Sequence, residues 1–332
     1  MNIAVQPLPT QVKLDPDEQH YRIPGLRQGS SLFLRRLAPK RARGESAVLY
    51  VHGATFPSAL SIAYRCNGRR SWRDELCADG FDVWALDFHG FGGSDPYPEM
   101  RRPAELSQPL GRVADACAQL EAAVRFITGQ RNGQRLSIIA HSWGTMVAGR
   151  LAAVQPDLLH RLVFFGPITW RREAQHPLRL PGWRLISLAD QWQRFTEAVP
   201  TDAAPVLSHR HFAAWGECYL ASDTDSRQRS PAAVKVPSGP FQDIFEAWAG
   251  QFAYDPAHLK VPVAIIRGEW DNYCTDADAN WLFNALSASP MRRDIKIGRA
   301  THLMHLEAMR GALYRESIGF LSAADEPAFG EP

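Results

Sequence analysis

Long apolar runs are missing from this chain of 332 residues. No stretch of about 18 apolar residues occurs, which excludes a transmembrane helix. A dominant charge is missing too. Lys and Arg number 37 against 35 Asp and Glu, a formal net charge of +2. The polyelectrolyte signature of a nucleic-acid binder is therefore absent, and no nucleic-acid partner is implied. The basic stretch Arg35-Arg36 to Lys40-Arg41-Ala42-Arg43 is short and reads as a solvated loop. Cysteines are few. Cys66, Cys77, Cys117, Cys218 and Cys274 are odd in number, far apart and without Cys-x-x-Cys spacing. They read as free thiols in a reducing compartment, so a cytoplasmic location is expected. The stretch Met1 to Thr10 lacks a basic region followed by a long apolar one and does not read as a secretory signal. His209-x-His211 has no cysteine or carboxylate partner at ligand spacing, so no metal is expected. Gly90-Phe91-Gly92-Gly93 leads into no Gly-Lys-Ser/Thr and opens no helix as Gly-x-Gly-x-x-Gly. No cofactor is implied.

What the chain does contain is an alternation. Its hydrophobic content of 45% is ordinary for a globular core. Its length allows one large domain or two smaller ones. Tyr21 to Leu37 holds two short extended stretches around Gly-Ser turn signals, as in a β-hairpin. Apolar strand-like runs then follow at Ala47–Val51, Phe81–Asp87, Leu136–Ala140, Arg161–Gly166, Val261–Gly268 and Asp294–Gly298. Helical patterns fall between them at Ser71–Ala78, Val113–Ile127, Thr145–Ala153, Ala277–Leu286 and Leu306–Leu321. Strands apolar on both faces, separated by helices, predict an α/β fold. Its sheet is mostly parallel, about eight-stranded, and covered by helices on both faces. Residues 168–256 break the alternation. They carry Trp170, Trp183, Trp192, Trp215 and Trp248 and no clear buried strand. A segment of that size between core strands reads as a helical cap, or lid, inserted after the sixth strand. The expected domains are an N-terminal arm at 1–20, a core at 21–167 and 257–322, the cap at 168–256, and a tail at 323–332.

The stretch Leu136 to Ala152 organises the chain. A short buried-strand pattern turns abruptly into a small-residue helix, with Ser142 at the turn. Ala140-His141-Ser142-Trp143-Gly144 is one substitution from the Gly-x-Ser-x-Gly nucleophile elbow. That elbow needs small residues on both sides, because strand and helix approach closely and the serine is held in a strained conformation. Gly144 meets the need, and Ala140 brings a methyl group. The competing reading is a serine that merely caps a helix. A serine hydroxyl becomes a nucleophile only when a base takes its proton and a third group orients the base. Loops at the carboxyl ends of later strands supply the candidates. The acid is Asp271, with Glu269, Asp276 and Asp278 as competitors. The base is His302, with His305 as competitor. His141 reads as a pocket-lining or packing residue.

Taken together, these motifs resemble the α/β-hydrolase fold family in its capped, esterase/lipase-like branch. They are His52-Gly53 after a strand, Asp87-x-x-Gly90-x-Gly92-x-Ser94, Ala140-His-Ser142-Trp-Gly144, Gly268-Glu-Trp-Asp271, and His302 with Glu307 five residues on. The chain order Ser, Asp, His is that of the family. The resemblance implies Ser142 as nucleophile, His302 as general base and Asp271 as its orienter. It implies an oxyanion hole from the N–H groups of Trp143 and Ala54, with Thr55 as the fallback donor. Thr55, His141 and Trp270 are expected near the substrate. The implied activity is hydrolysis of a carboxylic ester of a small, apolar or aromatic molecule. Thioester, lactone and amide hydrolysis use the same machinery, as does some C–C cleavage. Prolyl aminopeptidase-like members would need cap carboxylates, for which Glu173, Glu197, Glu217 and Glu246 are available. A hydrolase-like protein that only binds a ligand is the remaining alternative.

Overall fold

The computed structural model of the chain describes residues 13–44, 46–172 and 179–324. Most of the arm, Glu173 and most of the tail thus lie outside the described residues. Ten strands occur among the described residues: β1 (Gln19–Pro24), β2 (Ser31–Leu37), β3 (Ala47–Val51), β4 (Asp82–Asp87), β5 (Leu136–His141), β6 (Leu159–Phe165), β7 (Trp183–Ser187), β8 (Ala233–Pro237), β9 (Val263–Gly268) and β10 (Arg292–Ile297). Eight form one sheet in the order β1-β2-β4-β3-β5-β6-β9-β10. β1 pairs antiparallel with β2, and β2 with β4; every other pairing is parallel. The expected mostly parallel sheet and its N-terminal hairpin are present.

Composition explains the arrangement. Every residue of β3, β4, β5 and β9 is buried, the pattern of strands covered on both faces. The covering helices are α1 (Trp72–Ala78), α2 (Val113–Gly129), α3 (Trp143–Val154), α7 (Asp276–Ala285) and α8 (Arg310–Ser322). Ser71 with Asp74 starts α1 and Thr275 with Asp278 starts α7, each as a reciprocal capping box that satisfies N–H groups the helix cannot. One face of the sheet buries Leu49, Ile138, Phe164 and Ile265 under α2 and α3; the other buries Tyr50, Ile139, Val163 and Ile266 under α1 and α8. No helix among the described residues is long and apolar enough to cross a membrane.

Between β6 and β9 the chain leaves the sheet. This stretch is mostly helical, and it also carries a short strand pair that the sequence does not reveal. It holds α4 (Leu188–Thr196), α5 (His209–Ala221) and α6 (Gly239–Trp248), but also β7 and β8, which pair antiparallel as a separate two-stranded sheet. Each strand is only five residues long, too short to show a period of two against the helical patterns around it.

The N-terminal end also differs from expectation. β1 begins at Gln19, inside the stretch read as an arm. Glu18 is fully buried and pairs with Arg35, Arg73 and His20. Arg35 therefore belongs to the interior and not to a solvated loop; a buried guanidinium is tolerated because a buried carboxylate meets it.

Candidate active site

β5 ends in the centre of the sheet, and the chain turns at once into α3. Ser142 makes that turn with φ 55° and ψ −127°. Positive φ is unusual for a residue with a side chain. It projects the serine out of the turn while its N–H is held by Phe165 O at 2.9 Å. Glycine is required at 144, because a Cβ there would come within 2.5 Å of His52 O and 2.9 Å of Val51 O. Ala140 is fully buried in β5, where a methyl group fits. Thr145 Oγ1 donates to Ser142 O at 2.6 Å and tightens the first turn.

Three side chains from the ends of three strands meet here. Ser142 Oγ lies 2.8 Å from His302 Nε2. His302 Nδ1 lies 2.9 and 3.0 Å from the two carboxylate oxygens of Asp271. Asp271 Oδ1 also accepts the N–H groups of Tyr273 and Cys274, both at 2.9 Å. All three groups are buried, at 2%, 3% and 4% exposure for Ser142, His302 and Asp271. A carboxylate on Nδ1 fixes the tautomer that leaves Nε2 free to accept the serine proton. Gly166, after β6, leaves the room: its φ is +53°, and a Cβ there would lie 2.9 Å from both Asp271 Oδ2 and His302 Nδ1. The competitors are engaged elsewhere. Glu269 accepts from Arg299 N, Asp276 meets Arg267 and Lys296, and Asp278 caps α7 and holds Arg171.

The His52-Gly53 turn brings Ala54 beside this centre, since Gly53 lies against His141 and Ser142. His52 is locked, its Nδ1 donating to Gly53 O and its Nε2 accepting from Phe88 N. Trp143 N–H falls in the first turn of α3, where an amide has no partner in its own helix. Neither it nor the Ala54 N–H meets an acceptor among the described residues. Ala54 and Thr55 are both buried.

Other expected residues take different places. His141 Nε2 donates to His302 O at 3.0 Å, and its ring stacks on Phe165. Burial, with the His305 and His302 rings beside it, holds its pKa well below the usual histidine range. It acts on the backbone that carries His302. The Trp143 indole donates from Nε1 to Asp243 Oδ2 at 2.9 Å. Trp270 is half-buried and packs against the larger core. Tyr273, which the sequence did not single out, stacks on His302 at 4.7 Å; proximity in sequence to Asp271 was its only signal. His305 is buried with both ring nitrogens unpaired, and burial and His302 push its pKa down to about 3. Glu307 closes the loop: it accepts from Thr301 N at 3.0 Å and from Thr301 Oγ1. Burial raises its pKa to about 7. The Gly-rich loop is a clamp. Asp87 accepts from Ser58 N and Oγ and from Gly93 N, at 2.9, 2.6 and 3.0 Å. Ser94 Oγ donates to Asp87 O.

Comparison with known proteins places the fold. A family model described as alpha/beta hydrolase fold matches residues 47–308. No curated protein matches the chain. Among solved structures it is similar to a probable hydrolytic enzyme from Pseudomonas aeruginosa, at 18% identity and TM-score 0.60, covering 95% of this chain and 98% of that one. It is similar to an esterase from Exiguobacterium antarcticum, at 12% identity and TM-score 0.59, covering 91% and 99%. It is similar to a monoacylglycerol lipase from Paleococcus ferrophilus, at 18% identity and TM-score 0.56, covering 87% and 98%. At these identities the likeness is one of fold.

Proposed function

The chain belongs to the α/β hydrolase fold family, and on that premise we propose that it is a serine hydrolase cleaving a carboxylic ester, or a related acyl bond, of a small molecule. The observation that carries this reading is the unbroken chain from Ser142 Oγ through His302 to Asp271. In the proposed reaction, His302 Nε2 takes the Ser142 proton as Oγ attacks the ester carbonyl. The resulting oxyanion accepts from the N–H groups of Trp143 and Ala54. His302 then returns the proton to the leaving alcohol, and an acyl-enzyme remains on Ser142. Water, deprotonated by His302, attacks that ester and releases the acid and Ser142. Asp271 stabilises the transient imidazolium and is not itself protonated. Each oxyanion donor is worth about a hundred- to a thousandfold in rate.

The segment 168–256 is read as a cap over this centre. Tyr273, Trp248 and Phe241 supply aromatic walls on that side, with Trp248 at 5.6 Å from Tyr273. Aromatic surface favours a substrate with an apolar or aromatic part. The aminopeptidase alternative finds little support: Glu217 pairs with Arg227, Glu246 with Arg112, and Glu197 holds Asn272. A cytoplasmic site of action fits the five free thiols.

A fluorophosphonate probe tests the reading. Covalent labelling is expected at Ser142 and lost in Ser142→Ala. A folded wild-type protein that neither labels nor hydrolyses 4-nitrophenyl esters of any chain length would sink it.

A further inference from the structure

Two arginines of the inserted segment lie on the Tyr273 and Phe241 side of the site and form no ion pair among the described residues. Arg194, on α4, has its guanidinium carbon 5.9 Å from the Tyr273 ring and 5.8 Å from the Phe241 ring. Arg184, on β7, lies 4.5 Å over Phe241. Tyr273 is the ring stacked on His302. Among the described residues neither guanidinium forms an ion pair, and Arg194 Nε is buried with no acceptor. The indole Nε1 of Trp248, on the ring next to Tyr273, is also buried with no acceptor.

The carboxylates of the same region are committed. Asp190 accepts from Ser187 N and Oγ, both at 2.7 Å. Glu197 accepts from Asn272, and Asp243 and Glu246 hold Arg112. Arg171 and Arg267, on neighbouring elements, each have an aspartate partner. Among the described residues Arg194 and Arg184 form no such pair, although Arg184 feels the Asp190 carboxylate as well as the Arg194 charge. Burial first, then the Arg194 charge, lowers the pKa of Arg184. The Arg194 charge also reaches the ring of His141, adding to burial and to the neighbouring His305 and His302 in lowering its pKa. Arg194, half-buried and with an unmet Nε donor, is costly to leave so unless a ligand completes it. The planar guanidinium is the side chain best shaped to meet a carboxylate.

We propose that Arg194, with Arg184 outside it, forms a subsite for a carboxylate carried by the substrate, so that the preferred ester bears an anionic group a few bonds from the carbonyl that Ser142 attacks. This inference rests on the hydrolase reading above. The apolar stem of such a substrate lies along Tyr273 and Phe241, and its charged end reaches the arginines.

A matched pair of substrates tests it. The mono-4-nitrophenyl ester of adipic acid and 4-nitrophenyl hexanoate have the same length and differ only in a terminal carboxylate against a methyl group. Wild type is expected to favour the adipate ester in kcat/KM by about tenfold or more, the size of one charge-assisted hydrogen bond. Arg194→Met lowers that ratio by about tenfold, chiefly through KM, and Arg194→Lys recovers part of it. Calorimetric titration of free adipate into Ser142→Ala protein reads the subsite without turnover, and binding is lost when Arg194→Met is added. A wild-type ratio at or below one, a ratio unmoved by Arg194→Met, or adipate binding indifferent to that change would overturn the subsite. Hydrolysis of the hexanoate ester under those outcomes would leave the hydrolase reading standing. If neither ester is cleaved and Ser142 never labels, the hydrolase reading fails and adipate binding alone decides the subsite.

Discussion

At the scale of single residues, chemistry depends on side chains held in places they would not take by themselves. Ser142 occupies a positive-φ conformation that costs of order 1–3 kcal/mol. The bond from its N–H to Phe165 O and the close approach at Gly144 keep it there. Asp271 acts only through His302, so Asp271→Asn is expected to keep the fold and lower kcat by about 10⁴-fold, through the wrong imidazole tautomer. Steady-state rates on an ester, beside an unchanged urea midpoint, check this; full activity would remove Asp271 from the mechanism. His305 offers a pH test. Its pKa falls to about 3 in the folded protein, from burial and the nearby His302, below the ordinary value of about 6.5. The unfolded chain therefore binds more protons between those values, and stability is lost as pH falls below about 6.5. His305→Phe, which suits the neighbouring Phe56 and Phe165 rings, is expected to flatten that loss by about 1.4 kcal/mol per pH unit. Urea unfolding from pH 7 to pH 5 measures it, and equal slopes in both proteins would contradict it.

At the scale of elements, one carboxylate of the inserted segment reaches the elbow and two helix starts. Asp243, on α6, accepts the Trp143 indole N–H at 2.9 Å and the Val113 N–H at 2.7 Å, and it pairs with Arg112. It thus joins α6 to the starts of both α2 and α3. Trp143 is also the residue whose backbone N–H is proposed to meet the oxyanion. Asp243→Ala leaves the Trp143 indole and Val113 N–H donors unmatched and Arg112 with Glu246 as its one remaining carboxylate. It is expected to cost about 2–5 kcal/mol in stability, from two buried donors left unmet. It should also slow Ser142 labelling by up to about a hundredfold, because a displacement near 1 Å at a reacting centre has that size of effect. Trp143→Phe removes one neutral-to-charged hydrogen bond and costs less, about 1.5–3 kcal/mol. Labelling kinetics and urea midpoints for both variants check the ordering; a faster or unchanged labelling rate in Asp243→Ala would show that the tie does not position the elbow.

At the scale of the whole molecule, the antiparallel edge is fastened by buried charge. Glu18 precedes β1, Arg35 lies on β2 and Arg73 on α1, so one carboxylate links the hairpin to the helix beneath the sheet. Burial alone would raise its pKa, but His20, Arg35 and Arg73 hold it down at about 2. Glu18→Gln leaves two buried guanidinium groups without an anion and is expected to destabilise the fold by about 3–5 kcal/mol. Chemical denaturation measures it. A loss under about 1 kcal/mol, the value of an exposed ion pair, would show that solvent already reaches this cluster.

The sequence by itself determined the parallel sheet, the hairpin and the three residues of the candidate triad. Doubly buried strands and strand-to-helix turns leave local, one-dimensional patterns, and Asp271 and His302 each follow such a strand. Tertiary structure alone decided what lies around them. The short strands β7 and β8 exist because they pair with each other across about fifty residues, and no local pattern records a partner that distant. The sequence speaks for the Trp143 backbone N–H, and only the fold shows that Asp243 holds its indole. Arg35 reads as a surface charge until Glu18 is found beside it. Arg194 is one arginine among many in the sequence, and only the fold shows it beside Tyr273 with no ion-pair partner among the described residues. Backbone pattern is a local property; the pairing of charges, and the absence of a pair, belongs to the folded molecule.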